Sequence, residues 1–282
     1  MANGVHGFWE ELFMFLVGDD GVPRYLGQDW NGTWRGYSVP NGYDASVQLG
    51  SIATVELAGN VGTPMAIGLG AADASPYLMK GEYGCVPYGP CYQQWWWRGS
   101  LMNRLLPFYG PPPPGIRFKT MVAAQGHSGR PQVIGLGETD GLPYLMFENI
   151  PAWYPQFNSD WYWYGRLPGP AISYSTIATH RDPQGSLQVI GIGTNDGFPY
   201  LTYQVESSGN WYHWGPLPNP NSVRFRALAM GFGQVKTYQA GQFVVYRNLY
   251  VILLGAADGL PYLIWQDGRN QSWQWYGRLP TQ

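Results

Sequence analysis

The sequence predicts an all-β fold: a five-bladed β-propeller with four antiparallel strands per blade, in one domain spanning 1–282. Two observations predict it. The phrase VIGLGETDGLPYL at 133–145 returns as AIGLGAADASPYL ending at Leu78, VIGIGTNDGFPYL ending at Leu201 and VILLGAADGLPYL ending at Leu263, and in degraded form as MFLVGDDGVPRYL ending at Leu26. A second phrase follows each copy: WRGYSVP from Trp34, WWWRGSL from Trp95, WYWYGRLP from Trp161, WYHWGPLP from Trp211 and WQWYGRLP from Trp273. The central aspartates Asp20, Asp73, Asp140, Asp196 and Asp258 are spaced by 53, 67, 56 and 62 positions, the period of a repeat architecture.

Each unit reads as four strands. In the third copy, the β-branched Val133 and Ile134 lead to Asp140-Gly141, a tight-turn signal whose glycine tolerates positive φ. Tyr144 to Phe147 returns as the partner strand, and Pro143 stands just after the turn, where a missing N–H costs little. The tryptophan phrase alternates as a third strand, and a strand-like run precedes each hairpin, as at 116–124, 172–179 and 223–229. A lone sheet cannot bury both faces, so each blade is expected to pack on the next and the last on the first. The blades fall at about 1–40, 43–110, 116–170, 171–220 and 221–282; the first needs a short N-terminal strand over 2–7, or completion by 279–282.

Blades two, three and five carry insertions: Gly81 to Gln94, ENIPAWYPQFNSD, and GQVKTYQAGQFVVYRN. The connections they lengthen lie at the end of the blade opposite the Asp-Gly turns, so all three insertions crowd one face. Lengthened aromatic loops suit a binding surface; the alternative is local packing or a dimer contact.

Composition narrows the function. Aromatics make up 16% of the chain and charged residues 12%, which fits a core-rich fold, and a net charge of −2 gives no basis for binding nucleic acid or an anionic membrane. The start lacks a basic region ahead of its apolar segment, so the expected location is the cytoplasm, or outside the cell without a recognisable signal peptide. Cys85 and Cys91 are close enough for a local disulfide and equally suit two free thiols. No metal or cofactor motif is present, and the histidines His6, His127, His180 and His213 lack metal-ligand spacing. The repeated aspartate stands where a carboxylate accepts local backbone N–H bonds, a structural role.

The tryptophans remain. Trp34, Trp95, Trp161, Trp211 and Trp273 align in one row, and Trp97, Trp163 and Trp275 in a second that has His213 in blade four and Gly36 in blade one. Such rings either fill the space between blades or stack on the C–H face of a sugar.

An apolar strand, an Asp-Gly turn, an aromatic strand and a WxW strand, repeated, resemble the units of β-propeller lectins. In blade number the chain is similar to the tachylectin-type five-bladed lectins, and in wording to the fucose-binding propeller lectins. The resemblance implies several small-saccharide sites on Trp34, Trp95, Trp161, Trp211 and Trp273, with Arg166 and Arg278 as donors. Ser100 and Pro216 replace that arginine in blades two and four. The second reading is therefore an enzyme, of a cyclase kind, or a single-ligand binder for a small apolar or aromatic molecule. Its one pocket would be built from Tyr88, Trp153, Tyr154, His213 and Tyr246. A third is a protein-interaction scaffold, and a homo-oligomer fits any of the three.

Overall fold

The structure, a computed structural model, describes residues 13–28, 33–55, 65–85, 91–149, 160–239 and 242–280. Among them the chain forms five sheets in sequence order, with neighbouring strands antiparallel except where one short strand joins the third. The first contains β1 (Phe13–Val17), β2 (Pro23–Gln28) and β3 (Trp34–Ser38), and the second β4 (Leu49–Val55), β5 (Met65–Gly70), β6 (Pro76–Cys85) and β7 (Cys91–Ser100). After a short β8 (Leu105–Pro107), the third contains β9 (Phe118–Gln125), β10 (Pro131–Gly137), β11 (Pro143–Glu148) and β12 (Trp161–Arg166). The fourth has β13 (Tyr174–Arg181), β14 (Leu187–Gly193), β15 (Pro199–Gln204) and β16 (Trp211–Pro216). The fifth has β17 (Phe225–Gln239), β18 (Gln242–Gly255), β19 (Pro261–Gln266) and β20 (Trp273–Arg278). The chain leaving the second sheet lays β8 parallel to the outer strand β12 of the third before turning inward. No described helix is long and apolar enough to cross a membrane.

The repeated aspartate fastens each turn. Asp140 accepts the Leu142 amide at 2.9 Å on one oxygen and the Tyr144 hydroxyl at 2.7 Å on the other. Asp73, Asp196 and Asp258 do the same with Tyr77, Tyr200 and Tyr262. In the first sheet Arg24 takes the tyrosine's place and pairs with Asp20 at 2.5 Å. Burial and these bonds together raise the pKa of the turn tyrosines; Tyr144 rises to about 12, chiefly through burial and then through the Asp140 bond. The turn also reaches across to the next sheet. Gly21, Ala74, Gly141 and Gly197 each offer a carbonyl to the first residue of the following inner strand, Leu49, Phe118, Tyr174 and Phe225, at 2.8–2.9 Å. All four turn residues have positive φ, which glycine adopts freely and Ala74 (φ 53) adopts under strain.

Apolar clusters fill the spaces between consecutive sheets. Phe15, Val17 and Tyr25 of the first sheet meet Leu49, Met79 and Trp95 of the second. Ile67 and Leu78 meet Val133, Met146 and Trp161 of the third, Ile134 and Leu145 meet Val189 and Trp211 of the fourth, and Ile192 and Leu201 meet Val251 and Ile264 of the fifth. A buried ion pair, Lys80 with Glu148, joins the second and third sheets.

Two expectations need correction. Among the described residues no apolar cluster brings the fifth sheet against the first: Met14 is 46% and Ile252 47% exposed, and Leu16 and Trp34 are also open. The first sheet's described strands match the second, third and fourth of the other units, and the strand expected over 2–7 lies outside the described residues. The insertions of the second and fifth units are also less loop-like than expected. β6 and β7 pair as far as Cys85 opposite Cys91, and β17 and β18 pair as far as Gln239 opposite Gln242. In β17 and β18 polar residues alternate with Val, Thr and Tyr, which favours extending the ladder over leaving backbone groups unpaired.

Candidate functional site

The tryptophan rows serve two different ends. In the row expected to hold sugars, Trp95, Trp161 and Trp211 are 1%, 0% and 7% exposed and lie inside the inter-sheet clusters, where no ligand reaches their faces. Trp95 meets Phe15 edge-on at 4.4 Å. Trp273 is half-buried against the fourth sheet's cluster, and Trp34 is exposed. The second row stacks on the turn tyrosines: Trp97 on Tyr77 at 5.3 Å, Trp163 on Tyr144 at 5.5 Å and Trp275 on Tyr262 at 5.9 Å. His213 keeps this arrangement, lying 6.5 Å from Tyr200 with planes 21° apart. It contacts Thr202 Oγ1 through Nδ1 at 3.2 Å, and burial lowers its pKa. Arg166 donates to the Gly169 carbonyl, and Arg278 lies opposite Tyr262 in register. Both arginines are exposed at the Asp-Gly end of their sheets.

A cavity of about 350 Å³ opens on the fifth sheet, lined by Val235, Tyr246, Asn248, Tyr250, Leu263, Trp265, Asp267, Arg269 and Tyr276. It lies on the face of that sheet that no other sheet covers among the described residues. Strand alternation brings Tyr246, Asn248 and Tyr250 to one face of β18, opposite Val235, Gly233 and Gly231 of β17. A Cβ on Gly233 would stand 2.4 Å from the Tyr250 ring, so glycine gives that ring its place. The floor comes from the connection between β19 and β20. Gly268 donates to Asn248 Oδ1 at 3.0 Å, and a Cβ there would lie 1.9 Å from the Arg247 carbonyl, so this turn is clamped beneath the hairpin. Asp267 is only 4% exposed, and Arg269 grips it through Nε at 2.9 and 3.1 Å and Nη2 at 2.5 Å. That grip holds the Asp267 carboxyl below its ordinary pKa. The guanidinium carbon is also 5.6 Å from the Tyr246 ring centre.

No family model and no curated protein matches the sequence. Among solved structures the chain is similar to the BP39L lectin from Burkholderia pseudomallei, at 16% identity and a TM-score of 0.48, over 94% of this chain and 80% of that one. It is also similar to the Hadza microbial sialidase Hz136 (10% identity, TM-score 0.47, 93% of this chain and 57% of that one). A third similarity is to the exo-β-1,3-galactanase from Phanerochaete chrysosporium (10%, 0.42, 95% and 66%). Likenesses this distant carry no argument about function, and the site is read from its own residues.

Of the residues proposed for a single pocket, Tyr246 lines the cavity and His213 belongs to the fourth sheet's stacked pair. Tyr88, Trp153 and Tyr154 lie outside the described residues. Arg166, Arg278 and the aligned tryptophans do not line it. Sequence reasoning missed Asn248, Trp265, Asp267 and Arg269. A signal was present: Gly233 stands within a strand-like run, which marks close approach of a ring. Among the described residues no group of three His, Cys, Asp or Glu side chains is placed to hold a metal.

Proposed function

We propose that the protein is a saccharide-binding protein of propeller type, with its principal site in the fifth-sheet cavity. The observation that carries this reading is the lining itself: tyrosine and tryptophan faces beside Asn248, Asp267 and Arg269 in a space of about 350 Å³. Flat aromatic faces receive the C–H side of a pyranose, while a few fixed polar groups orient its hydroxyls. The buried row of tryptophans belongs to the scaffold, and Trp34 and Trp273 are the members that stay accessible for further, weaker sites.

The test is a glycan array followed by calorimetric titration of the hits. Binding is expected to fall at least tenfold in Trp265→Ala and to be unchanged in Tyr212→Ala, an exposed aromatic of the fourth sheet outside the cavity. Silence across the array at high protein concentration would remove the reading.

A further inference from the structure

The cavity already contains a cation of its own. Aromatic faces attract positive charge, and most strongly where water is partly excluded. Here a guanidinium rests on a tyrosine face and on a nearly buried carboxylate at once. The two halves of that ion pair differ in how firmly they are held. Asp267 is fixed: its amide donates to the Ser272 carbonyl at 2.9 Å, its own carbonyl accepts from Gln271, and the adjoining Gly268 is clamped under the hairpin. Arg269 reaches in from outside, with half of its side chain in solvent. Ordering so long a half-exposed side chain costs entropy that the fixed carboxylate does not share. The fixed half is thus an acceptor for positive charge, and the half that reaches in from solvent is the one open to exchange.

We propose that the saccharide bound at this cavity is an amino sugar, its ammonium group taking the place on Asp267 and Tyr246 that the Arg269 guanidinium holds. An ammonium presents N–H donors to the carboxylate and charge to the ring, while the sugar's C–H face meets the remaining aromatic wall. This inference rests on the saccharide reading above and narrows it to a class. Neutral sugars lack the charge to displace Arg269, and acidic sugars would meet Asp267 with like charge.

The experiment titrates the unmodified protein with glucosamine, galactosamine and mannosamine, each beside its N-acetyl and its 2-hydroxy counterpart. At least one amine is expected to bind roughly tenfold tighter than both of its neutral counterparts, the scale of a partly desolvated cation on an aromatic face. Arg269→Ala, which removes the internal competitor, is expected to raise amine affinity; Asp267→Asn is expected to erase the preference. A thermal melt of each variant separates lost binding from lost fold, and the wild-type comparison needs no variant. Neutral sugars binding as well as the amines would overturn the inference and leave the saccharide reading standing. No binding by any of the set, with an empty glycan array, would overturn both.

Discussion

The third and fifth units are written in nearly the same words, VIGLGETDGLPYL and VILLGAADGLPYL, and they fold into the same hairpin. Ile134 faces Leu145 in register as Ile252 faces Leu263, and both turns are fastened by a tyrosine hydroxyl 2.7 Å from an aspartate. What lies across from them differs. The fourth sheet covers Ile134 and Leu145 completely, and the Gly141 carbonyl holds the start of β13. Ile252 is half open, and Leu263 lines a cavity. The repeat therefore specifies the turn and the ladder, while burial comes from the neighbour. The fifth-sheet cavity lies where the neighbour's cover stops.

The comparison is broken most severely at the tryptophans. Trp161→Ala removes a fully buried ring and is expected to cost about 3–5 kcal/mol, whereas the half-buried Trp273→Ala should cost clearly less. Denaturant melts of the two variants give the answer. Equal losses would mean that the fifth unit is as fully packed in solution as the third.

Lys80→Met tests a contact that the third unit has and the fifth lacks. It leaves Glu148 buried without its cation, at an expected cost of about 3–5 kcal/mol. Burial already pushes the Glu148 carboxyl above its ordinary value, while Lys80 draws it down. A carboxyl raised in the folded state favours folding most when protonated. The deficit should therefore be full above the folded pKa and shrink as pH falls toward the ordinary glutamate value. A deficit independent of pH would show that the loss is one of packing, not charge.

Ile134→Ala should cost about 2–4 kcal/mol, and Ile252→Ala less than about 1 kcal/mol, because a half-exposed side chain leaves no closed cavity behind. The smallest effects are expected at the fastened turns, where the units are alike. Tyr144→Phe loses one hydroxyl bond, about 1 kcal/mol, and Tyr262→Phe should cost no more. The Leu260 amide, followed by the Tyr262 hydroxyl, holds the Asp258 carboxyl below its ordinary value. Its contribution is thus present above that value and lost as pH falls through the folded one. NMR titration of the aspartate carboxyl signals would show it.

This pattern sets what a sequence reader can see. Strand order, the tight turns and the structural role of Asp140 are local matters, governed by alternation over a few residues and by a carboxylate's reach to the next amide but one. Whether Trp161 faces water or a neighbouring sheet is decided by residues such as Leu78, far along the chain, so the row of aligned rings read equally well as filler and as sugar platform. Trp265 shows the same limit from the other side. It occupies the position of Phe147 and Tyr203, and only the long β17–β18 hairpin and the Asp267–Arg269 turn make it a wall. The outer part of that hairpin, 233–248, reads from the sequence as an insertion, because polar residues alternating with Val and Tyr suit a ladder as well as a connection.

The strap formed by β8 bears on how a unit of this chain could be moved or duplicated. Leu105 to Pro107 follow the second unit in sequence and pair with the third, and the bridge of Asn41 to Trp96 ties the first unit's exit to the second in the same way. A duplication or transplant that cut cleanly at the motif boundary would strand an outer edge without its parallel partner. Modules moved between such proteins should carry the strap of the unit before them.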